Sequence, residues 1–450
     1  MGTTETLAQW IVATSYDDVP AAGHEQAKKS ILDYLGTAIQ GSTTELGRMI
    51  IDFTQEQGGH PQARVIGTNV RTASASAAFA NGALGHAEDF DDLGGIGGHP
   101  AIVLTPPALA LADELHLSGR DVLVAWAIGY EVGTRLSANL HPDRDWHPTA
   151  IFGTMAAAVV ASKLLRLDVG KTRMALGIAG SQASGLRRNF GTMTKPFHPG
   201  HAARSGVVAA KLAARGFTAD PDIIEGRQGY ADNFGGAKCN LPGVTQFLGQ
   251  FYHLASEGTR IKPLPCCGGN HQTLTGLLDL LRKHTITADE VESIEHTGPN
   301  VPCTGALLRD EVHQGLEGKF CLRYNIAAAV IDGQVDLETF TDKRAHQGDV
   351  QAFMDRVRLV RNPDVAMRRP HIADGNPEAR LRVQMRNGRV HEVVLGPAMH
   401  LTGDAVVDKF RANAGVVFDS VRVGRPIQLV QRLEAMTDVT ELMDAVTTGS

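Results

Sequence analysis

The stretch 72-TASASAAFANGALGH-86 consists almost entirely of small residues. Small side chains let helix axes approach closely, so we expect a helix that is buried among other helices. The same richness in alanine and glycine returns at 101–115, 148–166, 172–187 and 200–215. No fixed-period repeat accompanies these segments, which argues against a solenoid. The sequence therefore predicts one large all-helical domain.

Helical patterns also precede this stretch. Segments 4–14, 21–39 and 45–57 carry apolar residues at a spacing of three to four, and glycines follow the second and third segments. That spacing places the apolar side chains on one face of a helix. We expect three packed helices here.

The pattern changes after about residue 262. Segments 291–298, 355–363 and 379–396 alternate between apolar and polar residues, and Asn387-Gly388 separates two alternating runs as a hairpin turn. Helical patterns at 271–284 and 322–333 lie among these strands. The mixture predicts an α+β domain.

Helical periodicity returns at 404–413 and 425–446. We expect this tail to pack on the first domain. The predicted fold is mainly α with a second α+β domain: a discontinuous, all-helical domain of residues 1–262 and 400–450, and a smaller α+β lid domain of residues 263–399.

Composition and charge exclude several classes of protein. The chain has 450 residues, 43% of them hydrophobic, and a net charge of −6 without any Lys/Arg run, so a nucleic-acid partner has little support. We see no apolar run long enough to span a membrane and no signal peptide in MGTTETLAQW.

The five cysteines (239, 266, 267, 303 and 321) lack CxxC spacing and fit reduced thiols. We expect a cytoplasmic protein.

The segment 86-HAEDFDDLGGIGGHP-100 is the strongest candidate for chemistry. Four carboxylates, two histidines and four glycines fall within it, directly before the apolar run 101–112. Glycines 94, 95, 97 and 98 allow left-handed backbone and close approach of a ligand. His99, which ends the loop and is held extended by Pro100, is the predicted acid/base group. An acidic helix end followed by a flexible linker is the alternative interpretation.

Four further stretches resemble site material. In 145-DWHPTAIFG-153, Thr149 is expected to cap a helix beside His147, and in 187-RRNFGTMTKPFHPG-200 a stiff cationic loop carries Lys195, Arg187 and Arg188. The Pro/Gly-rich turn 260-RIKPLPCCGGNHQT-273 is a candidate hinge and site wall. In 318–333, Tyr324 opens an apolar helix, where a tyrosine is more often part of the core.

Together these motifs resemble the MmgE/PrpD family. The segments HAEDFDD…GHP, WHPTAIFG, NFGTMTKP, IKPLPCCGG and KFCLRYNIAAAV occur in the family's order over nearly the whole chain. The family includes 2-methylcitrate dehydratase, cis-aconitate decarboxylase and iminodisuccinate epimerase. The resemblance implies a helical domain and a lid with the site between them, a homodimer, and chemistry without a metal or cofactor.

The resemblance also implies roles for particular residues. The predicted catalytic residues are Asp89, His99, His147, Lys195 and Tyr324. The predicted substrate-binding residues are Arg187, Arg188, Lys262, Cys267 and His271. Two positions depart from the family pattern: Leu93 replaces a threonine typical of dehydratases and decarboxylases, and Cys267 replaces a histidine found in some members.

The predicted function is proton transfer at a carbon next to a carboxylate in a small di- or tricarboxylate. Lysines neutralise such substrates through charge-assisted hydrogen bonds, and histidines titrate near neutral pH. A lyase, either a dehydratase or a decarboxylase, is the main prediction, and an epimerase of an amino- or iminodicarboxylate is the alternative. Two remoter alternatives are a metal-dependent hydrolase using His86, Asp89, Asp91 and His99, and an inactive binding protein.

Overall fold

A computed structural model describes residues 1–142, 145–298, 306–361 and 379–449. The described chain is mainly α-helical with a small mixed sheet, as the sequence predicts. Cys303 and the end of the predicted strand 355–363 lie outside the described residues. Within the described ranges, none of the helices combines the length and apolar character needed to span a bilayer.

Helices account for most of the chain before residue 262. They are α1 (Thr3–Ala13), α2 (Ala21–Gly41), α3 (Glu45–Gln57), α4 (Ser74–Gly85), α5 (Ala101–Leu115), α6 (Gly119–Leu140), α7 (Pro148–Leu164), α8 (Val169–Gly180), α9 (Thr194–Ala214), α10 (Tyr230–Phe234), α11 (Leu241–Thr245) and α12 (His253–Ser256). The rest of the chain contributes α13 (Gly268–His284), α14 (Gly315–Gly318), α15 (Leu322–Asp332), α16 (Asp342–Ala345), α17 (Gly348–Met354), α18 (Asp404–Ala414), α19 (Ser420–Gln431) and α20 (Thr440–Ala445).

The small residues do bring helices into close contact. A Cβ added to Gly82 in α4 would lie 2.8 Å from Gly200 Cα in α9. A Cβ on Gly206 in α9 would lie 2.4 Å from the carbonyl carbon of Ala157 in α7. Since neither distance is tolerable between heavy atoms, only glycine fits, and the prediction of deeply buried small-residue helices is confirmed.

Four details of the helical prediction were wrong. The region before residue 262 also contains a two-stranded antiparallel sheet, β1 (Ala63–Arg64) and β2 (Arg71–Thr72). Helix α6, with 22 residues, was not predicted. Helix α8 ends at Gly180, short of residue 187, and the predicted helix 425–446 is divided between α19 and α20.

The four-stranded sheet has the order β4-β3-β5-β6, from β3 (Val291–Gly298), β4 (Val357–Arg361), β5 (Arg380–Met385) and β6 (Val390–Val394). Strands β5 and β6 form the antiparallel hairpin that Asn387-Gly388 predicts, with Gly388 at φ +86°. Strands β3 and β4 are parallel. Parallel neighbours require a long connection, and helices α14 to α17 lie within it.

Buried apolar side chains form two clusters. The first joins α1 to α12 with residues of the C-terminal helices, including Phe410, Leu429 and Leu442. The second contains buried residues from Leu264 to Leu395, and Phe190 joins it from the earlier part of the chain. The acidic loop 86–100 contacts residues from both sides of this division, as described next.

Candidate active site

The loop 86–100 takes up a strained path against helices α5 and α6. Asp89, Gly94, Gly95 and Gly97 have left-handed φ values of +50°, +129°, +41° and +71°, whereas Gly98 lies outside that region. A Cβ on Gly95 would lie 2.6 Å from Tyr130 Cζ. The predicted left-handed backbone is therefore confirmed at positions 94, 95 and 97.

The loop is a buried polar segment, which excludes the interpretation as a solvated linker. Asp89, Asp91 and His99 are 3%, 0% and 8% exposed. Asp92 Oδ1 accepts a hydrogen bond from Ala101 N at 3.0 Å, at the first turn of α5. Buried charges are stable only where they are paired, so the partners of these groups define the site.

Asp91 joins the two histidines of the loop. Its Oδ1 is 2.6 Å from His86 Nδ1, and its Oδ2 is 2.8 Å from His99 Nδ1. Burial alone would raise the pKa of Asp91, but the two imidazoles hold it well below its usual range. The carboxylate can only accept, so Nδ1 of His86 carries a hydrogen and Nε2 carries the lone pair.

His99 has its lone pair on Nε2. Its Nδ1 lies 3.0 Å from the carbonyl oxygen of Asp92, which can only accept a hydrogen bond, so Nδ1 carries the hydrogen. Nε2 lies 3.7 Å from Asp89 Oδ1. Burial lowers the pKa of His99, and the negative charge of Asp91 opposes this shift without cancelling it. The ring is therefore neutral at pH 7 when no substrate is bound. The ring is therefore set up to accept a proton at Nε2.

Two buried ammonium groups lie on either side of Asp89. Lys262 Nζ is 2.6 Å from Oδ1, and Lys195 Nζ is 3.3 Å from Oδ2. Burial alone would raise the pKa of Asp89, but Lys195 and Lys262 hold it well below its usual range. Burial lowers the pKa of Lys195, whereas Asp89 and Asp91 outweigh burial and raise that of Lys262.

The two lysines differ in the hydrogen bonds they have left. Lys262 donates to the Asp89 carbonyl, to Asp89 Oδ1 and to the Cys266 carbonyl, which uses all three of its N–H groups. Lys195 donates to His86 Nε2 at 2.5 Å and forms an ion pair with Asp89 Oδ2, which accepts no hydrogen bond from the described residues. Lys195 therefore has N–H groups left for an incoming carboxylate.

His147 lies on the other side of Lys195. Its Nδ1 is 3.0 Å from Nδ1 of His198, so the two rings share one proton, and its ring packs against Phe190 at 4.8 Å between centroids. Burial, followed by the Lys195 charge, lowers the pKa of His147 well below its usual range. His147 is therefore neutral and buried beside the lysine.

The turn 260–273 supplies a further wall. Burial raises the pKa of the Cys267 thiol to about 11, which keeps it protonated beside Lys195 and Lys262. His271 Nε2 is 3.1 Å from the Cys266 carbonyl, and burial and Lys262 lower the pKa of His271 to about 3. The structure thus places Cys267 and His271 close to the lysines.

Three predicted residues are not brought to this cluster. The Tyr324 hydroxyl donates to the Thr339 carbonyl at 2.5 Å inside the second apolar cluster. Arg187 Nη1 is 3.3 Å from Asp145 Oδ1, and Arg188 is exposed. Their roles in catalysis and binding stay predictions.

Two local expectations need correction. Thr149 does not cap α7, which begins after His147 without a side-chain cap; its hydroxyl instead accepts the backbone N–H of His99 at 3.2 Å. Lys195 lies in the first turn of α9 and not in a loop. The helix fixes the lysine stem as the predicted stiff loop would have done, and Thr149 helps to fix His99.

A metal ion is a weaker interpretation of the same residues. Ligand atoms of His86, Asp89, Asp91 and His99 all lie within 4.8 Å of one another, as the hydrolase alternative requires. However, ammonium groups from Lys195 and Lys262 already neutralise Asp89, and Lys195 contacts the His86 nitrogen that has the lone pair. A divalent cation would have to displace these charges, so the donor set fits it poorly.

Family models match along most of the chain. Residues 5–240 match the MmgE/PrpD N-terminal domain, and residues 264–435 match the MmgE/PrpD C-terminal domain. The chain belongs to the MmgE/PrpD family. The C-terminal match extends into α18 and α19, whose side chains pack in the first apolar cluster.

Several MmgE/PrpD relatives carry the name cis-aconitate decarboxylase. The mouse protein is 27% identical over 98% of this chain and 92% of its own length, and the protein from Aspergillus terreus strain NIH 2624 is 28% identical over 98% and 95%. The human protein is 28% identical over 93% of this chain and 89% of its own length.

The partner of the loop histidines was not predicted from the sequence. Asp91 lies against both rings at Nδ1. His86 and Asp91 were considered only as metal ligands. Asp91 follows His86 by five residues, and the left-handed backbone of Asp89 between them turns the Asp91 carboxylate against His86. The residue types alone do not predict this turn.

Proposed function

We propose that this protein is a cofactor-independent MmgE/PrpD-type lyase that acts on a small tricarboxylate, with decarboxylation of cis-aconitate as the first candidate reaction. The observation that carries the proposal is the His99 Nε2 lone pair, 3.7 Å from Asp89 and beside the Lys195 ammonium. The names of the relatives supply the substrate class.

Lys195 is the proposed carboxylate anchor. An N–H group of Lys195 that His86 does not use can bind one carboxylate, and a buried, charge-assisted hydrogen bond of this kind contributes about 1.5 to 3 kcal/mol. Lys262 adds a second positive charge close by, although its N–H groups are used by Asp89 and Cys266. Lys262, Arg187, Arg188, Cys267 and His271 stay predicted substrate-binding residues.

In decarboxylation, the bond between the leaving carboxylate and its carbon breaks, CO2 departs, and the electron pair stays on carbon. An acid must then deliver one proton to that carbon. His99 is the proposed donor, because a bound polyanion favours protonation of its Nε2 and Asp91 stabilises the resulting imidazolium. Lys195, with its lowered pKa, and His147 are the other buried groups next to this position.

Dehydration and epimerisation use the same groups in a different order. In dehydration, neutral His99 removes a proton from carbon, the C–O bond breaks as the C=C bond forms, and the Lys195 ammonium, with its lowered pKa, supplies the proton with which the hydroxyl leaves as water. In epimerisation, a proton is removed and returned without loss of mass. The epimerase alternative keeps its support from Leu93, which replaces the threonine typical of dehydratases and decarboxylases.

Proton NMR in D2O distinguishes these reactions. The purified protein would be incubated with cis-aconitate, citrate, 2-methylcitrate and an amino- or iminodicarboxylate. We expect cis-aconitate to lose one carboxyl group and to gain one deuteron on carbon. Deuterium exchange without mass loss would establish the epimerase instead, and no change in any of the substrates would contradict the proposal.

The proposal includes the domain division and the assembly. We propose that residues 263–399 form a lid over the site on the remaining helical domain, with Arg309 Nε donating to the Phe190 carbonyl at 3.1 Å across the division. The four cysteines in the described part of the chain are free thiols, which supports the predicted reducing, cytoplasmic setting. The exposed Phe53 and Phe197, at 47% and 42%, flank Phe79 and support a homodimer, testable by light scattering.

A further inference from the structure

Three consecutive backbone carbonyls of the acidic loop each accept a hydrogen bond from a buried lysine. Lys319 Nζ donates to the Glu88 carbonyl at 3.0 Å, Lys262 donates to the Asp89 carbonyl, and Lys409 donates to the Phe90 carbonyl at 2.5 Å. The lysines come from three separate parts of the chain. We call this set, Lys262, Lys319 and Lys409, the lysine clamp.

Lys319 and Lys409 are buried and are held by groups of the protein itself. Lys319 is 1% exposed, and its other acceptors are Glu88 Oε2 and the Pro265 carbonyl, both at 2.8 Å. Its three N–H groups are therefore used. Lys409 is 7% exposed and lies 2.7 Å from Asp33 Oδ1 and 3.9 Å from the centroid of the Phe90 ring.

The clamp surrounds the strained residue of the loop. Asp89 has φ of +50°, a conformation that costs a non-glycine residue about 1 to 2 kcal/mol. Such strain persists only where the surroundings hold it. Bonds to the carbonyls of residues 88, 89 and 90 fix the peptide planes on both sides of Asp89, and with them the direction of its carboxylate.

We propose that Lys319 and Lys409 are positioning residues that hold Asp89 between Lys195 and Lys262. They act through the loop backbone and touch no substrate. The inference rests on the proposed function only in taking the Asp89 cluster as the reacting site. Its structural part, that the two lysines hold the loop, stands apart from the identity of the reaction.

The test uses charge-neutral double variants, because removal of one partner alone leaves a buried charge unpaired. Lys409→Met/Asp33→Asn removes the clamp bond to the Phe90 carbonyl together with its counter-charge. The matched control is Lys28→Met/Glu434→Gln. Lys28 is also 7% exposed and also bonds a carbonyl, that of Gln431 at 3.2 Å, together with Glu434, but it lies outside the loop contacts.

Two measurements are made on folded protein. We expect kcat of the clamp variant to fall at least tenfold with KM changed less than threefold, since small misplacement of reacting groups mainly affects turnover. Hydrogen exchange of the peptide covering 86–93 should become at least tenfold faster. The control variant should unfold at lower denaturant concentration with kcat and loop exchange unchanged.

The proposal is overturned if the clamp variant keeps wild-type loop exchange, or if the control accelerates that exchange equally. Should Lys409→Met/Asp33→Asn fail to fold, Lys319→Met/Glu88→Gln tests the other side of Asp89 with the same measurements. If wild-type protein turns over none of the carboxylates, the proposed function fails, while loop exchange still decides whether the clamp holds the loop.

Discussion

Asp91 lies against Nδ1 of both loop histidines. His86 Nδ1 donates to its Oδ1, and His99 Nδ1, which donates to the Asp92 carbonyl, lies 2.8 Å from its Oδ2, so both neutral rings have their lone pair on Nε2. In His99 that nitrogen lies toward Asp89, and in His86 it receives the Lys195 ammonium. Asp91 thus orients His99, the proposed acid/base group, and also His86, which contacts the proposed substrate anchor Lys195.

Asp91→Asn should therefore lower kcat by about a hundredfold or more. An amide offers one oxygen and one N–H₂ group, so one histidine must face a donor and turn or change tautomer. Loss of the negative charge also lowers the pKa of His99, so the limb of the pH profile of kcat/KM that reports His99 should move to lower pH.

The control for this prediction is Asp113→Asn. Asp113 is also buried, but its partner is Arg64, away from the loop. That variant should lose stability and keep the wild-type pH profile. An unshifted profile in Asp91→Asn, with turnover near that of the wild type, would contradict the assigned tautomers.

Lys195→Met should weaken substrate binding and turnover together. Methionine has a similar unbranched length without charge, and Asp89 keeps Lys262 as its counter-charge in the variant. Because Lys195 bonds His86 and Asp89, we expect KM to rise and kcat to fall, each by about tenfold or more. Unchanged steady-state kinetics would remove Lys195 from the site.

The types of residue at the site were predictable, but their partners were not. HAEDFDD in front of a glycine run predicts a polar loop, and His99, Asp89 and Lys195 meet as expected. Which of the aspartates faces a histidine depends on the positive φ of Asp89, and that conformation depends on lysines far away in sequence. Local sequence carries no signal for such contacts.

At the scale of elements, the glycine run is what lets the loop lie against α6. Gly95→Ala would place a Cβ 2.5 Å from Thr134 Oγ1 and 2.6 Å from Tyr130 Cζ, at a φ of +41°. We expect a loss of about 2 to 4 kcal/mol in the free energy of unfolding, from the strained φ together with overpacking. Denaturant unfolding measures this loss.

Gly216→Ala is the matched control for Gly95→Ala. Gly216 has a φ of +87° but no heavy atom within 4 Å of an added Cβ. Its substitution should lower the free energy of unfolding only by the cost of holding a residue other than glycine at a positive φ, about 1 to 2 kcal/mol. Equal losses in the two variants would show that the contact of Gly95 with α6 contributes nothing.

Asp92, which accepts a hydrogen bond from the first residue of α5, prefers to be protonated in the folded protein. Burial and the neighbouring Asp91 raise the pKa of Asp92 to about 8, above the value of about 4 in an unfolded chain. Between these values the folded state binds a proton that the unfolded state has released, so this group lowers stability as pH rises.

Asp92→Asn should therefore stabilise the protein progressively more as pH rises from about 4 to about 8. The amide oxygen can still accept the hydrogen bond from Ala101 N. Denaturant unfolding at pH 5 and pH 8.5 measures the difference between variant and wild type. A difference that is the same at both values would contradict the raised pKa of Asp92.

Element types were more predictable than their pairing. The alternation in 379–396 and the Asn387-Gly388 turn predict β5 and β6, because hairpin partners are adjacent in sequence. The parallel pairing of β3 with β4 joins strands separated by four helices, which periodicity does not encode. Helix α6 is buried along most of its length, so its apolar residues spread around the helix and obscure the pattern.

At the scale of the whole molecule, the site gathers residues from distant parts of the chain. Asp89 and His99 come from the loop 86–100, and Lys195 comes from α9. Lys262 lies in the turn 260–273, and Lys409 lies in the C-terminal helix α18. The motifs shared with the MmgE/PrpD family predicted most of the residues that meet here. Lys319 and Lys409 were not predicted, because their contacts are made to backbone carbonyls, which leave no complementary residue type in the sequence.

We propose that His99 carries proton transfer in a site that needs no metal. The test measures ¹³CO2 release from uniformly ¹³C-labelled cis-aconitate by wild-type protein and by His99→Gln, each dialysed against EDTA. We predict steady release by the wild type and a rate lower by about a hundredfold or more in His99→Gln, with the same thermal stability. Release by His99→Gln at the wild-type rate, or wild-type release that EDTA abolishes and zinc or iron restores, would contradict it.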